Sequence, residues 1–216
     1  MKKKSSSFAR DGNSCGNATM SERPLPLFFC VALRDLHAWF NDESVPYVLI
    51  GGIACSLLGR PRTTKDIDVL TVLDEARWED FVKSGRAHGF ETRLSDAVAF
   101  AHESQVLLMH HRESALDVDI IIAGLPFEND MVQHGTSRAI LDTALFFPSY
   151  EDLIVMKAVA ARPRDIEDIR GLLSVHPDVD WAKIIGWVKD FSEALDASDI
   201  LRTIETLRRE RDISFS

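Results

Sequence analysis

The stretch Asp66-Ile67-Asp68-Val69-Leu70 sets two carboxylates into a β-type apolar run. Residues two apart on a strand face the same side, so Asp66 and Asp68 point together while Ile67 and Val69 point into a core. Two carboxylates on one face repel unless a proton or a cation joins them. A hard divalent ion, Mg²⁺ (or Mn²⁺), resolves that conflict because it takes carboxylate and phosphate oxygens. A second run, Leu116-Asp117-Val118-Asp119-Ile120-Ile121-Ile122, offers another acid from another strand. A third carboxylate completes a two-metal centre and can take the proton of an attacking hydroxyl. Asp117 and Asp119 share one predicted face, and the residues alone leave both open for that role.

Immediately before the first acidic run, a short apolar segment from Tyr47 to Ile50 meets Gly51-Gly52. Glycine there permits backbone angles that a side chain would forbid. Ile53 to Leu58 is apolar and ends at Gly59, which predicts a short helix. The free N–H groups and positive dipole end of such a helix form a seat for phosphate. Gly51 and Gly52 would let backbone amides approach such a phosphate closely. Ser56, about one helical turn beyond Gly52, is a weaker candidate for the same role. The loop that follows carries Arg60, Arg62 and Lys65. Arg62 or Lys65 would neutralise charge developing on a departing pyrophosphate. A glycine pair alone usually marks an ordinary turn, and an Asp-x-Asp alone usually sits on a solvated strand face. Both at this short separation favour phosphoryl or nucleotidyl transfer.

The remaining segments must position these groups. Leu27 to Phe40 is apolar at helical spacing through Leu27, Val31, Leu33, Leu36, Trp39 and Phe40, and predicts a helix packed on a sheet. Ala76 to Ala87 reads as a helix closed by Gly89. Phe90 to Leu94, Ala97 to Ala101 and Gln105 to His110 read as short β segments. His110 and His111 are adjacent, so on a strand they face opposite sides and cannot easily share a metal. The expectation is one surface histidine and one half-buried. Pro126 to His134 predicts a short helix, and Ser137 to Phe147 a strand or strand pair interrupted at Asp142. Ser149 is a good N-cap for a helix carrying Leu153, Met156, Val159 and Ala160 on its apolar face, with Lys157 beside it. Pro163 breaks that helix and Arg164-Asp165 opens another. Two amphipathic helices follow between Val179 and Arg211, the second including Leu195.

The chain has 216 residues, a hydrophobic fraction of 45% and a formal net charge of −9. That charge argues against a surface that traps nucleic acid as a whole, though not against a local basic patch. The apolar runs are too short to span a bilayer. Cys15, Cys30 and Cys55 lack metal-type spacing, which suits reduced thiols in the cytoplasm. Residues 1–21 are polar, with Lys2-Lys3-Lys4 but no apolar signal core, and are expected to be disordered; Met20 is a second candidate start.

The pattern Gly-Gly, short helix, Gly, Arg-x-Thr, Asp-x-Asp resembles the nucleotidyltransferase superfamily typified by DNA polymerase β. GGIACSLLGRPRTTKDID most resembles the AbiE-type toxins of type IV toxin–antitoxin systems. The resemblance covers Val48 to about Leu173. It implies an α/β fold, a mixed sheet flanked by helices, with a core at 22–147 and a C-terminal helical region at 148–216. It favours Asp119, in DIIIAGLP, as the third catalytic and metal-holding acid beside Asp66 and Asp68, with Asp117 as runner-up. It implies that Lys157 contacts nucleotide phosphates and that Asp165 and Asp168, with Arg164, shape the site. Bottom-up, Lys157 suits a triphosphate oxygen; helix-surface ion pairs are the alternative for Arg164, Asp165 and Asp168, an equal one for Arg164 and Asp168. The resemblance further implies an NTP co-substrate, an RNA acceptor such as a tRNA 3′ end, and a cognate antitoxin as partner. Two alternatives stand beside it: a nucleotidyltransferase that modifies aminoglycoside or lincosamide antibiotics, and a non-catalytic relative that binds nucleotide or a partner.

Overall fold

The computed structural model describes residues 26–140 and 142–214. The expectations for residues 1–21, including Cys15, lie outside the described residues. Helix α1 (Leu27–Asp42) turns Phe29, Leu33, Leu36, Trp39 and Phe40 into the core. Its stripe begins at Phe29, because Leu27, at the first turn, is 78% exposed. Strand β1 (Tyr47–Ile50) is buried throughout and runs directly into α2 (Gly51–Leu58), which starts on the glycines themselves. Strand β2 (Asp66–Thr71) follows the basic loop.

The predicted helix between Ala76 and Ala87 is divided. Its middle is α3 (Trp78–Gly85), flanked by single 3₁₀ turns at Glu75–Arg77 and Arg86–His88. The Trp39 ring lies 2.7 Å from where a Cβ on Gly85 would be, so helix α3 packs its last residue flat against that indole. Trp39 in turn stacks on Phe81 and Phe90, with ring centroids 4.3 and 5.1 Å away. Strand β3 (Phe90–Thr92) is shorter than expected. Residues from Ala97 form a helix, α4 (Ala97–Ser104), and not a strand. Their apolar–small alternation imitates a strand, but the buried pair is Ala97 and Ala101, one helical turn apart.

Strands β4 (Val106–His111) and β5 (Leu116–Ile122) complete the main sheet. Among the described residues its order is β1-β2-β5-β4-β3, with β2 and β5 parallel and the other neighbours antiparallel. This is the mixed α/β architecture expected from the sequence. Helix α5 (Pro126–Gln133) precedes a hairpin of β6 (Thr136–Ile140) and β7 (Thr143–Phe147), which lies against β1 and α1. Helix α6 (Tyr150–Ala160) is capped by the Ser149 hydroxyl, which accepts from the Asp152 N–H, as the sequence predicts.

Helix α7 (Pro163–Val175) packs on α6 and on α2. Helices α8 (Trp181–Ala194) and α9 (Ser198–Ser214) then cover α6 through Ile184, Val188, Ile200, Ile204 and Leu207. Leu195 belongs to neither apolar face. It caps α8 and is 56% exposed. No helix among the described residues is long and apolar enough to cross a membrane.

Candidate active site

Pairing of β2 with β5 sets Asp66 beside Asp117 and Asp68 beside Asp119. Lateral partners in a sheet share a face, so all four acids emerge on the same side. Ile67, Val69, Val118 and Ile120 point the other way and are fully buried. Asp66, Asp68 and Asp119 line a cavity of about 600 Å³. Its other walls are Gly51 and Gly52, the loop from Arg62 to Lys65, and Lys157, Arg164 and Asp165 from α6 and α7.

The glycine turn is shaped around Asp68. Gly51 has φ +61°, and a Cβ there would stand 1.8 Å from Asp68 Oδ2. A Cβ on Gly52 would stand 2.5 Å from the Thr64 hydroxyl. Burial first, then the neighbouring Asp66 and Asp119 carboxylates, push the Asp68 carboxyl up to about 6, while a hydrogen bond from the Gly52 backbone opposes the rise. Asp119 is also raised, chiefly by burial, with Arg93 pulling the other way. Thr64 donates to Asp66 Oδ1 at 3.0 Å. Asp66 and Asp68 thus form an acid pair short of counter-charge, which fits a hard cation. Asp119 shares their face, but its Oδ1 accepts from Arg93 Nη2. Among the described residues no trio of His, Cys, Asp or Glu is gathered as a metal-binding group.

Lys157 lines the cavity, but its ammonium also faces carboxylates, donating to Asp165 Oδ1 at 2.8 Å and pairing with Asp168 Oδ2 at 3.0 Å. Asp168 also accepts from Arg62 Nη2 at 2.8 Å. The Asp168 side chain is only 3% exposed, so it is no helix-surface ion pair. Burial works against its charge, yet the hydrogen bonds from Arg62 and Lys157 hold it below the usual carboxylate range. Asp165 accepts from the Arg162 backbone N–H at 3.2 Å and is likewise buried. This network ties the β2-side loop to α6 and α7 and fixes the cavity wall.

Ser56 stands apart from the other predicted residues. It does not line the cavity; its hydroxyl donates to the Arg62 carbonyl at 3.1 Å and accepts from the Arg62 N–H at 3.2 Å. It shapes the basic loop. Lys65 and Arg164 line the cavity, and among the described residues neither is in an ion pair with a carboxylate.

His111 is more deeply buried than expected, 1% exposed, between the Asp35 carboxylate at 3.2 Å and the Ser114 hydroxyl at 2.8 Å. His110 faces the acid side and bonds Asp117 Oδ1 at 2.8 Å. Arg93 is a site neighbour that sequence reading misses, and the sequence names His110 without its link to Asp117. Nothing local marks Arg93, because its place depends on β3 pairing with β4 and β4 with β5. Cys55 is a buried thiol whose pKa burial pushes up to about 12, which makes it inert.

Residues 30–208 match the family described as nucleotidyl transferase of unknown function (DUF2204). No curated protein sequence matches the chain. An antigenic nucleotidyltransferase-like protein from Paracoccidioides brasiliensis has a similar fold, with a TM-score of 0.50 at 16% identity over 82% of this chain and 92% of that one. A lincosamide antibiotic adenylyltransferase with lincomycin bound aligns with a TM-score of 0.49 at 18% identity over 67% of this chain and 96% of that one. At 16% identity the first of these likenesses speaks to the fold alone.

Proposed function

The chain belongs to the nucleotidyl transferase family matched over residues 30–208, and on that premise we propose that it moves a nucleoside monophosphate from an NTP to a hydroxyl acceptor, releasing pyrophosphate. The observation that carries this reading is the lateral pairing of Asp68 with Asp119, with Asp66 two residues away, on the floor of a cavity whose rim holds Arg62, Lys65 and Arg164. Mg²⁺ (or Mn²⁺), held by Asp66 and Asp68 and joined by Asp119, would neutralise phosphate charge and lower the pKa of the acceptor hydroxyl.

The acceptor oxygen bonds to the α-phosphorus as the bond from that phosphorus to the bridging oxygen of the pyrophosphate breaks. Asp119 takes the hydroxyl proton. Arg62, Lys65 and Arg164 attract the triphosphate and stabilise the charge that builds on the pyrophosphate. Lys157 lines the cavity with its ammonium paired to Asp165 and Asp168. Gly51 brings the backbone against Asp68 and closes the floor.

For the acceptor we propose RNA, in particular a tRNA 3′ end, with growth inhibition as the biological outcome and a cognate antitoxin as partner. The resemblance of the glycine-to-aspartate segment to AbiE-type toxins supports this, as does a cationic rim on an otherwise acidic protein. The test is incubation with α-labelled NTPs, Mg²⁺ and total RNA, run beside an aminoglycoside and lincosamide panel. Label is expected on an RNA band, and Asp68→Asn is expected to abolish it without loss of fold. Full turnover by that variant would remove the enzymatic reading, and label on the drugs alone would replace the acceptor.

A further inference from the structure

The acid face does not stop at β5. Arg93 follows the end of β3, and its backbone N–H donates to the Leu108 carbonyl on β4 at 2.9 Å. Leu108 is the lateral partner of Asp119, which is the partner of Asp68. One row across the sheet therefore reads Asp68, Asp119, Leu108, Arg93, and the next reads Asp66, Asp117, His110, Glu91. The Arg93 side chain reaches back over Leu108 and splits its guanidinium between the rows. Nη2 donates to Asp119 Oδ1, and Nη1 donates to Asp117 Oδ2 at 3.2 Å. The other Asp117 oxygen is bound to His110 at 2.8 Å. Asp117 is thus anchored independently, whereas Asp119 has its described hydrogen bond from Arg93.

We propose that Arg93 is a positioning residue that holds Asp119 in reserve, and that it must release Asp119, staying parked on Asp117, before Asp119 can join Asp66 and Asp68 around a divalent cation. This rests on the metal-dependent transferase reading above. Three facts converge on it. The trio of acids shares one face, yet among the described residues it is not gathered as a metal-binding group. The guanidinium supplies the counter-charge that a cation would otherwise supply. Asp117 and His110 give Arg93 a resting place that does not involve Asp119. A guanidinium forks naturally between two carboxylates, so losing one partner leaves it still bound by the other.

The test is Mn²⁺ binding by the full chain without nucleotide, followed by the paramagnetic resonance signal of free Mn²⁺. Arg93→Met is expected to tighten Mn²⁺ binding about three- to tenfold, and Asp119→Asn is expected to cancel that gain when the two are combined. Arg112→Met removes the same charge from an arginine paired with Glu91 on the neighbouring strand and is expected to change little. If Arg93→Met weakens Mn²⁺ binding, leaves it unchanged, or tightens it no more than Arg112→Met does, Arg93 does not restrain Asp119. Arg93→Gln repeats the test should the methionine variant not fold. Wild-type binding that depends on Asp68 but not on Arg93 overturns this inference alone. Absence of Asp68-dependent Mn²⁺ binding overturns the metal reading together with it.

Discussion

Asp68 is the residue at which burial, like charge and backbone shape meet. Its pKa is raised from 3.8 to about 6, so the folded state binds the proton more tightly than the unfolded chain does. The sign follows from linkage: stability is greatest below the unfolded value and is lost as pH rises through about 6. Asp68→Asn should therefore stabilise the metal-free protein at pH 7.5, by on the order of 2 kcal/mol. The gain should fall to less than half at pH 4.5, as read by thermal melting at both values. An equal gain at both would mean that the carboxylate is not repelled. Gly51 makes the complementary prediction. With φ at +61° and Asp68 Oδ2 in the place of a Cβ, Gly51→Ala should cost about 2 kcal/mol or more and displace Asp68. Denaturant titration and the labelled-NTP assay should both register the loss.

At the scale of elements, the parallel pairing of β2 and β5 does what neither strand can do alone. Each strand carries its acids at a spacing of two, and pairing brings the two sets side by side. The acid spacing on each strand was legible in the chain because alternation with isoleucine and valine dictates the face. The pairing partner was not, since β5 follows β2 only after α3, β3, α4 and β4. The wall of the cavity has the same character. Asp168 looks like a surface residue of an amphipathic helix, but α7 packs it against Arg62 and Lys157. Asp168→Asn leaves two cations short of a partner in a buried place, so a loss of about 3 kcal/mol in chemical denaturation is expected. A loss under about 1 kcal/mol would show that solvent or Asp165 compensates, and that the network does not hold the wall.

Across the whole molecule, a net charge of −9 coexists with Arg62, Lys65 and Arg164 around one cavity. An acidic surface elsewhere limits non-specific contact with nucleic acid and leaves the rim as the place where a polyanion is attracted. If RNA is the acceptor, its affinity should fall as salt rises. Arg164→Glu should weaken binding and lower the slope of log affinity against log salt by about 1. Filter binding across a salt series checks this. An unchanged slope would move the RNA contact away from the rim.

By itself the sequence determined the acidic strands, the glycine turn before them and the basic loop between, and with them the motif that resembles the nucleotidyltransferases. These are local patterns in which side-chain periodicity and backbone freedom decide the outcome within a few residues. Only the tertiary structure decided what each group faces. It turned Ser56 to the loop backbone, placed Lys157 and Arg62 on Asp168, made a helix of the segment from Ala97, and brought Arg93 across β4 to Asp119. Such partners come from distant parts of the chain. Their choice depends on strand order and helix packing, which the short-range pattern of residues does not encode.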